Sequence, residues 1–287
     1  MKLDGRRQST NVEDRRSKGG KIAGISIGGI LLVGVIALLM GKGNLLSIGQ
    51  QVVSEMQQQA QTSTDYLPTE QEKQYEEFAK KILASTEDVW TAQFKKMGKT
   101  YKAPTLVLFK GSVQSGCGNA TSSVGPFYCS VDEKVYIDLD FFNEMPQTLG
   151  AGGDFAYAYV IAHEVGHHVQ HLLGTLDDAH AKMAKQNETE KNKASVRIEL
   201  QADYYAGVWG YYENKMFGSL EDGDLEEAVN AAQKIGDDYL QKRSRGEVTP
   251  ENFTHGTSQQ RVKWLKKGLN TGDLSGGDTW SCKYNNL

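Results

Sequence analysis

Positive charge is not in surplus in this chain: 32 Lys and Arg stand against 36 Asp and Glu, a net charge of −4. Nothing global therefore points to nucleic acid, which calls for a basic face. Cysteine is scarce, with three residues in 287, so at most one internal disulfide can form. Histidine is nearly as scarce, with six. No internal repeat is present, which excludes an array of stacked units. What remains is ordinary: 39% hydrophobic and 24% charged residues, in a chain long enough for one sizeable core or two small ones.

The charge is unevenly placed. Residues 1–21 hold seven Lys and Arg against three Asp and Glu, a local +4 that leaves −8 for the remainder. An uncharged run, IAGISIGGILLVGVIALLMG, follows at 22–41, bracketed by Lys21 and Lys42. Twenty helical residues span about 30 Å, the thickness of a bilayer's hydrocarbon core. The run reads as a single transmembrane helix rather than a cleaved signal, because it is long and no A-x-A site follows. The flanking Lys and Arg place the N-terminus in the cytoplasm and the rest outside the cell membrane. The expected division is a disordered basic tail at 1–21, the span at 22–41, a Gln/Ser/Thr-rich stalk at 42–66 and a folded domain at 67–287. Outside the cytoplasm a disulfide is permitted. Cys117 and Cys129 bracket a Gly/Ser-rich loop and are the expected pair; two buried thiols, or a pair with Cys282, are the alternatives.

Order begins near Thr69, which with Glu72 makes a capping-box pattern. Apolar residues from Tyr75 to Met97 then recur at helical spacing until Gly98. TLVLF (105–109) and KVYIDLDFF (134–142) read as strands. Helices are expected at 155–173, 194–217 and 224–243, and again after a second capping box, Thr257 with Gln260. Helix, strands, then helices is the order of an α+β domain.

The chemistry concentrates in HEVGH, residues 163–167. Positions i and i+4 of a helix share a face about 5–6 Å apart, so His163 and His167 can converge on one zinc. Glu164 lies about 100° round the helix, where its carboxylate can reach a water on the metal without binding the metal itself. A catalytic zinc needs a third protein ligand and keeps its fourth position open. His171 is about 12 Å along the helix from His163, and His168 points about 100° away from His167. Gln170 and Leu173 stand where a metzincin would need Gly and His. The remaining source is ELQADYYAG, where Glu199 and Asp203 share one helical face among apolar neighbours. One can ligate zinc while the other orients a ligand histidine through its second nitrogen. Further on, His255 and Arg261 in FTHGTSQQR could supply positive charge to a developing oxyanion.

HEVGHHVQ, ELQADYYAGVW and FTHGTSQQR, with GPFYC before KVYIDLDFF and NVEDRR near the start, resemble the bacterial neutral zinc metallopeptidases of the YpfJ type. That family is similar in turn to the gluzincins, with H-E-x-x-H followed by E-x-x-x-D. The resemblance implies a zincin-like domain, Glu199 as third ligand and Asp203 as the carboxylate behind a histidine. It matches His255 and Arg261 to a C-terminal His/Arg pair. The resulting expectation is a membrane-anchored peptidase with one zinc per chain, acting on a peptide or protein substrate aligned along the strand at 134–142. The alternatives are a non-catalytic, zinc-stabilised binding module of the cell envelope, and a zinc hydrolase of a non-peptide amide.

Overall fold

The computed structural model describes residues 1–17 and 66–287. The apolar run at 22–41, and the stalk save residue 66, lie outside the described residues. Among the described residues no helix is long and apolar enough to cross a membrane.

Helix α1 (Glu70–Lys96) starts at the expected capping box. The Glu72 amide donates to Thr69 Oγ1 at 3.1 Å, and the Thr69 amide donates to Glu72 Oε2 at 2.8 Å. Such a cap stabilises a helix start by about 1 kcal/mol. Its apolar stripe buries Ile82, Leu83, Val89, Trp90 and Phe94. A four-stranded sheet follows, built from β1 (Val12–Asp14), β2 (Thr105–Phe109), β5 (Phe127–Cys129) and β6 (Lys134–Asp138) in the order β1-β2-β6-β5. β1, β2 and β6 run parallel, and β5 is antiparallel to β6. A separate hairpin, β3 (Ser112–Ser115) with β4 (Gly118–Thr121), is tied to β5 by the Cys117–Cys129 disulfide. Cys282 is a free thiol.

Two strand expectations need correction. β6 ends at Asp138, not at residue 142. The buried Asp138 carboxylate accepts the amides of Gly111 and Asp140, which turns the chain into a short helix, α2 (Asp140–Glu144). β6 is also flanked on both sides, by β2 and β5, so it has no open edge for a substrate. Among the described residues the edge strands of this sheet are β1 and β5.

The rest of the chain is helical: α3 (Asp154–Leu172), α4 (Thr175–Met183), α5 (Glu188–Phe217), α6 (Asp224–Lys234), α7 (Asp237–Arg245) and α8 (Ser258–Thr271). α5 starts earlier than expected, where Asn187 Oδ1 accepts the Glu190 amide at 3.0 Å; that first turn is all polar and shows no apolar period. The single helix expected at 224–243 is two, broken at Gly236. A side chain there would meet the Ser258 backbone at 2.3 Å. α5 lies between α3 and α8, and glycine lets the backbones close up. A Cβ at Gly166 would sit 2.9 Å from the Ala202 carbonyl, and one at Gly268 would sit 2.2 Å from the Tyr204 carbonyl. Trp90, Tyr159, Tyr204, Trp209 and Phe155 fill the core between these helices.

Residues 1–17, expected as part of a disordered tail, are folded onto the domain instead. Leu3 and Val12 pack against the core, and β1 adds to the edge of β2. The basic residues that made this segment look like a solvated tail find carboxylates: Arg6 meets Glu213 at 2.7 Å, and Arg7 meets Glu87 and Asp88 at 2.8 and 2.6 Å.

Candidate metal centre

The close packing of α3 on α5 at Gly166 brings the two sequence motifs together. His163, His167 and Glu199 each offer a ligand atom, all within 4.8 Å of one another. His163 Nε2 is 3.1 Å from Glu199 Oε2, and His167 Nε2 is 3.5 Å from Glu199 Oε1. Donors about 2.0–2.1 Å from one tetrahedral ion stand roughly 3.4 Å apart, so the set fits zinc. Two imidazoles and one carboxylate is also the ligand chemistry of catalytic zinc, which leaves a fourth position open.

Each histidine is held through its other nitrogen. His163 Nδ1 donates to Asp203 Oδ1 at 2.8 Å, which directs Nε2 toward the ligand set as the nitrogen that would bind a metal. His167 Nδ1 lies 2.9 Å from Gln170 Oε1. The Gln170 amide nitrogen donates to the Ile198 carbonyl at 2.8 Å and to Gln201 Oε1 at 3.0 Å, which fixes its oxygen toward His167. Sequence reading named Asp203 and missed Gln170. The signal was present, since Gln170 follows His167 by three residues and so shares its face.

Asp203 is fully buried and takes four donors. Besides His163 it accepts from the Tyr159 hydroxyl at 2.6 Å and from Arg261 Nε and Nη2 at 2.9 and 2.8 Å. Burial opposes its charge, but Arg261 and His163 hold its pKa down at about 2. Arg261 is itself buried, 2% exposed, with its guanidinium committed to Asp203 and Tyr159. It therefore fixes the carboxylate behind His163 and does not face an open site.

His255 lies differently. Its side chain is 35% exposed, and its Nδ1 lies 3.2 Å from Asp237 Oδ1. Burial tends to lower its pKa, but Asp237 and the nearby Glu199 raise it above the usual value. Asp237 is wholly buried and also accepts the amides of Thr254, His255 and Gly256 at 2.8, 2.6 and 2.9 Å, so the loop carrying His255 is pinned. No sequence pattern marked Asp237, because it acts at the start of α7 across a break that reads as continuous helix.

Glu164 is buried beside the ligand set without belonging to it. Burial, with the charge of Glu199, pushes its pKa up to about 7, and the backbone amide of Tyr128 in β5 donates to it. The Tyr128 hydroxyl lies 2.9 Å from His168 Nδ1, and His168 Nε2 donates to the Lys102 carbonyl at 2.6 Å. His168 is thus a buried structural residue, and His171 pairs with Asp177 at 3.0 Å away from the ligands, as their directions on the helix required.

The family model described as "Putative neutral zinc metallopeptidase" matches residues 1–280. The chain belongs to that family. It is 49% identical over 281 residues to YpfJ of Escherichia coli K12, covering 95% of this chain and 96% of that protein. It is 45% identical over 191 residues to Mb2605 of Mycobacterium bovis and to Rv2575 of Mycobacterium tuberculosis, covering 63% of this chain and 64% of each relative. No solved structure matches the chain.

Proposed function

We propose that the chain is a zinc peptidase that binds one zinc through His163, His167 and Glu199 and hydrolyses peptide bonds, with Glu164 as general base. The observation that carries this reading is the position of Glu164: a buried carboxylate outside the ligand set, next to it, with a raised pKa. A structural zinc site is closed by four ligands and has no use for such a group. When bound, zinc acts as a Lewis acid and makes its water more acidic.

The remaining steps belong to side chains. Glu164, buried beside the ligand set, takes a proton from the attacking water and returns it to the leaving nitrogen. His255, oriented by Asp237, donates toward the oxyanion as it develops. Of the expected pair, Arg261 acts through Asp203 and does not touch the oxyanion. Tyr128 carries the β5 edge up to Glu164, so an extended peptide added to β5 has its backbone drawn past the base. That reading replaces β6 as the aligning strand.

The test is cleavage of an unfolded-protein peptide library by the full chain in detergent. Hydrolysis should stop with a chelator and return with zinc. Zinc binding without chelator-sensitive hydrolysis of any peptide would favour the binding-module or non-peptide reading.

A further inference from the structure

The segment before the apolar run and the domain after it are parts of one folded body. Backbone pairing is continuous: the Leu106 amide donates to the Asn11 carbonyl at 2.9 Å, the Arg15 amide to the Leu108 carbonyl at 2.8 Å, and the Ser9 amide to the Lys80 carbonyl at 3.0 Å. Glu213 is wholly buried and receives Arg6 Nη1 at 2.7 Å, together with the Ser85 and Ser219 hydroxyls. Arg16, 5% exposed, pairs with Asp14 and with Glu76 of α1. Were residues 1–17 elsewhere, Glu213 would be a buried carboxylate without a cation, and the outer edge of β2 would lose its partners.

We infer that residues 1–17 and 66–287 stand on the same side of any membrane the chain meets, which a single crossing between them does not allow. A chain that leaves and returns on one side crosses an even number of times. Residues 18–65 contain one run of crossing length, and the part after it, 42–65, carries Lys42, Glu55, Asp65 and many Gln. That part cannot supply a second apolar span of about 20 residues.

Single cysteines decide it. In a full-length Cys282→Ser background, Gln8→Cys and Lys185→Cys place probes at two exposed positions, one on each side of the run. Cells would be treated with a membrane-impermeant maleimide before and after lysis. The expected result is the same pattern at both positions: both labelled in intact cells, or both only after lysis. Labelling of one position in intact cells and of the other only after lysis would overturn the inference. An independent reading is hydrogen exchange of the wild-type full chain in detergent. The Ser9 and Arg15 amides should exchange orders of magnitude more slowly than open backbone. Exchange at the rate of an unfolded peptide at both would equally overturn it.

Discussion

His163 and His167 sit one turn apart on α3 and offer the same atom to the same centre, yet the regions behind them differ in kind. Behind His163 is an ionised carboxylate, Asp203, whose charge is balanced by the buried Arg261. Behind His167 is a chain of neutral amides running from Gln170 to Gln201 and on to the Gly277 carbonyl at 2.8 Å. A charged acceptor holds an imidazole more strongly than an amide does, by roughly 1.5–3 against 0.5–1.5 kcal/mol. Using one of each limits the negative charge around a site that already contains Glu199 and Glu164. It also gives the two histidines separate supports: Asp203 is fixed by α8, whereas Gln201 is fixed by the C-terminal segment.

The largest effect available to break this comparison is removal of the ligand the histidines share. Glu199→Ala leaves two imidazoles, which rarely hold zinc firmly, so tight zinc and activity should both disappear by elemental analysis and peptide cleavage. Full zinc retention would mean that the centre lies elsewhere. Next comes Asp203→Ala, expected to weaken zinc about 10-fold to 100-fold while added metal restores occupancy. Titration against a chromophoric chelator measures it. Gln170→Ala should cost less, about fivefold for one neutral hydrogen bond, in the same titration. Equal losses for Asp203→Ala and Gln170→Ala would remove the asymmetry between the two supports.

The smallest effect lies outside the site and concerns stability alone. Burial opposes the charge of Glu72, but Lys110, Tyr66 and Thr69 hold its pKa down at about 2, below the usual 4.5. A carboxyl depressed in the folded state stabilises fully above its unfolded pKa and loses that contribution as pH falls toward the folded value. Glu72→Gln should therefore destabilise the chain by about 1–2 kcal/mol at pH 7. The gap from wild type should close as pH falls from about 4.5 to about 2 in thermal melts. A gap independent of pH would assign the loss to the helix cap rather than to charge.

Much of the centre was legible because helical spacing is a strong rule: i and i+4 placed His163 with His167, and Glu199 with Asp203, before any fold was known. The capping boxes at Thr69 and Thr257 were equally local, and both are formed. What could not be read was long-range pairing. Arg6, Arg7 and Arg16 look like a soluble tail until Glu213, Asp88 and Glu76 are brought to them from α5 and α1. Arg261 carries the same lesson: its charge was legible, but its partner, 58 residues earlier in the chain, was not. The edge position of β5 was not legible for a similar reason, since FYC is too short to show a period and only the sheet order makes it an edge.

The central claim is that Glu164 does chemistry at a zinc it does not bind, and Glu164→Gln tests it most directly. The amide is nearly isosteric but cannot take a proton from water. Zinc content and chelator affinity should match wild type, while kcat for peptide hydrolysis should fall about 10²-fold to 10⁴-fold. Loss of zinc in that variant, or hydrolysis at the wild-type rate with zinc in place, would contradict the account.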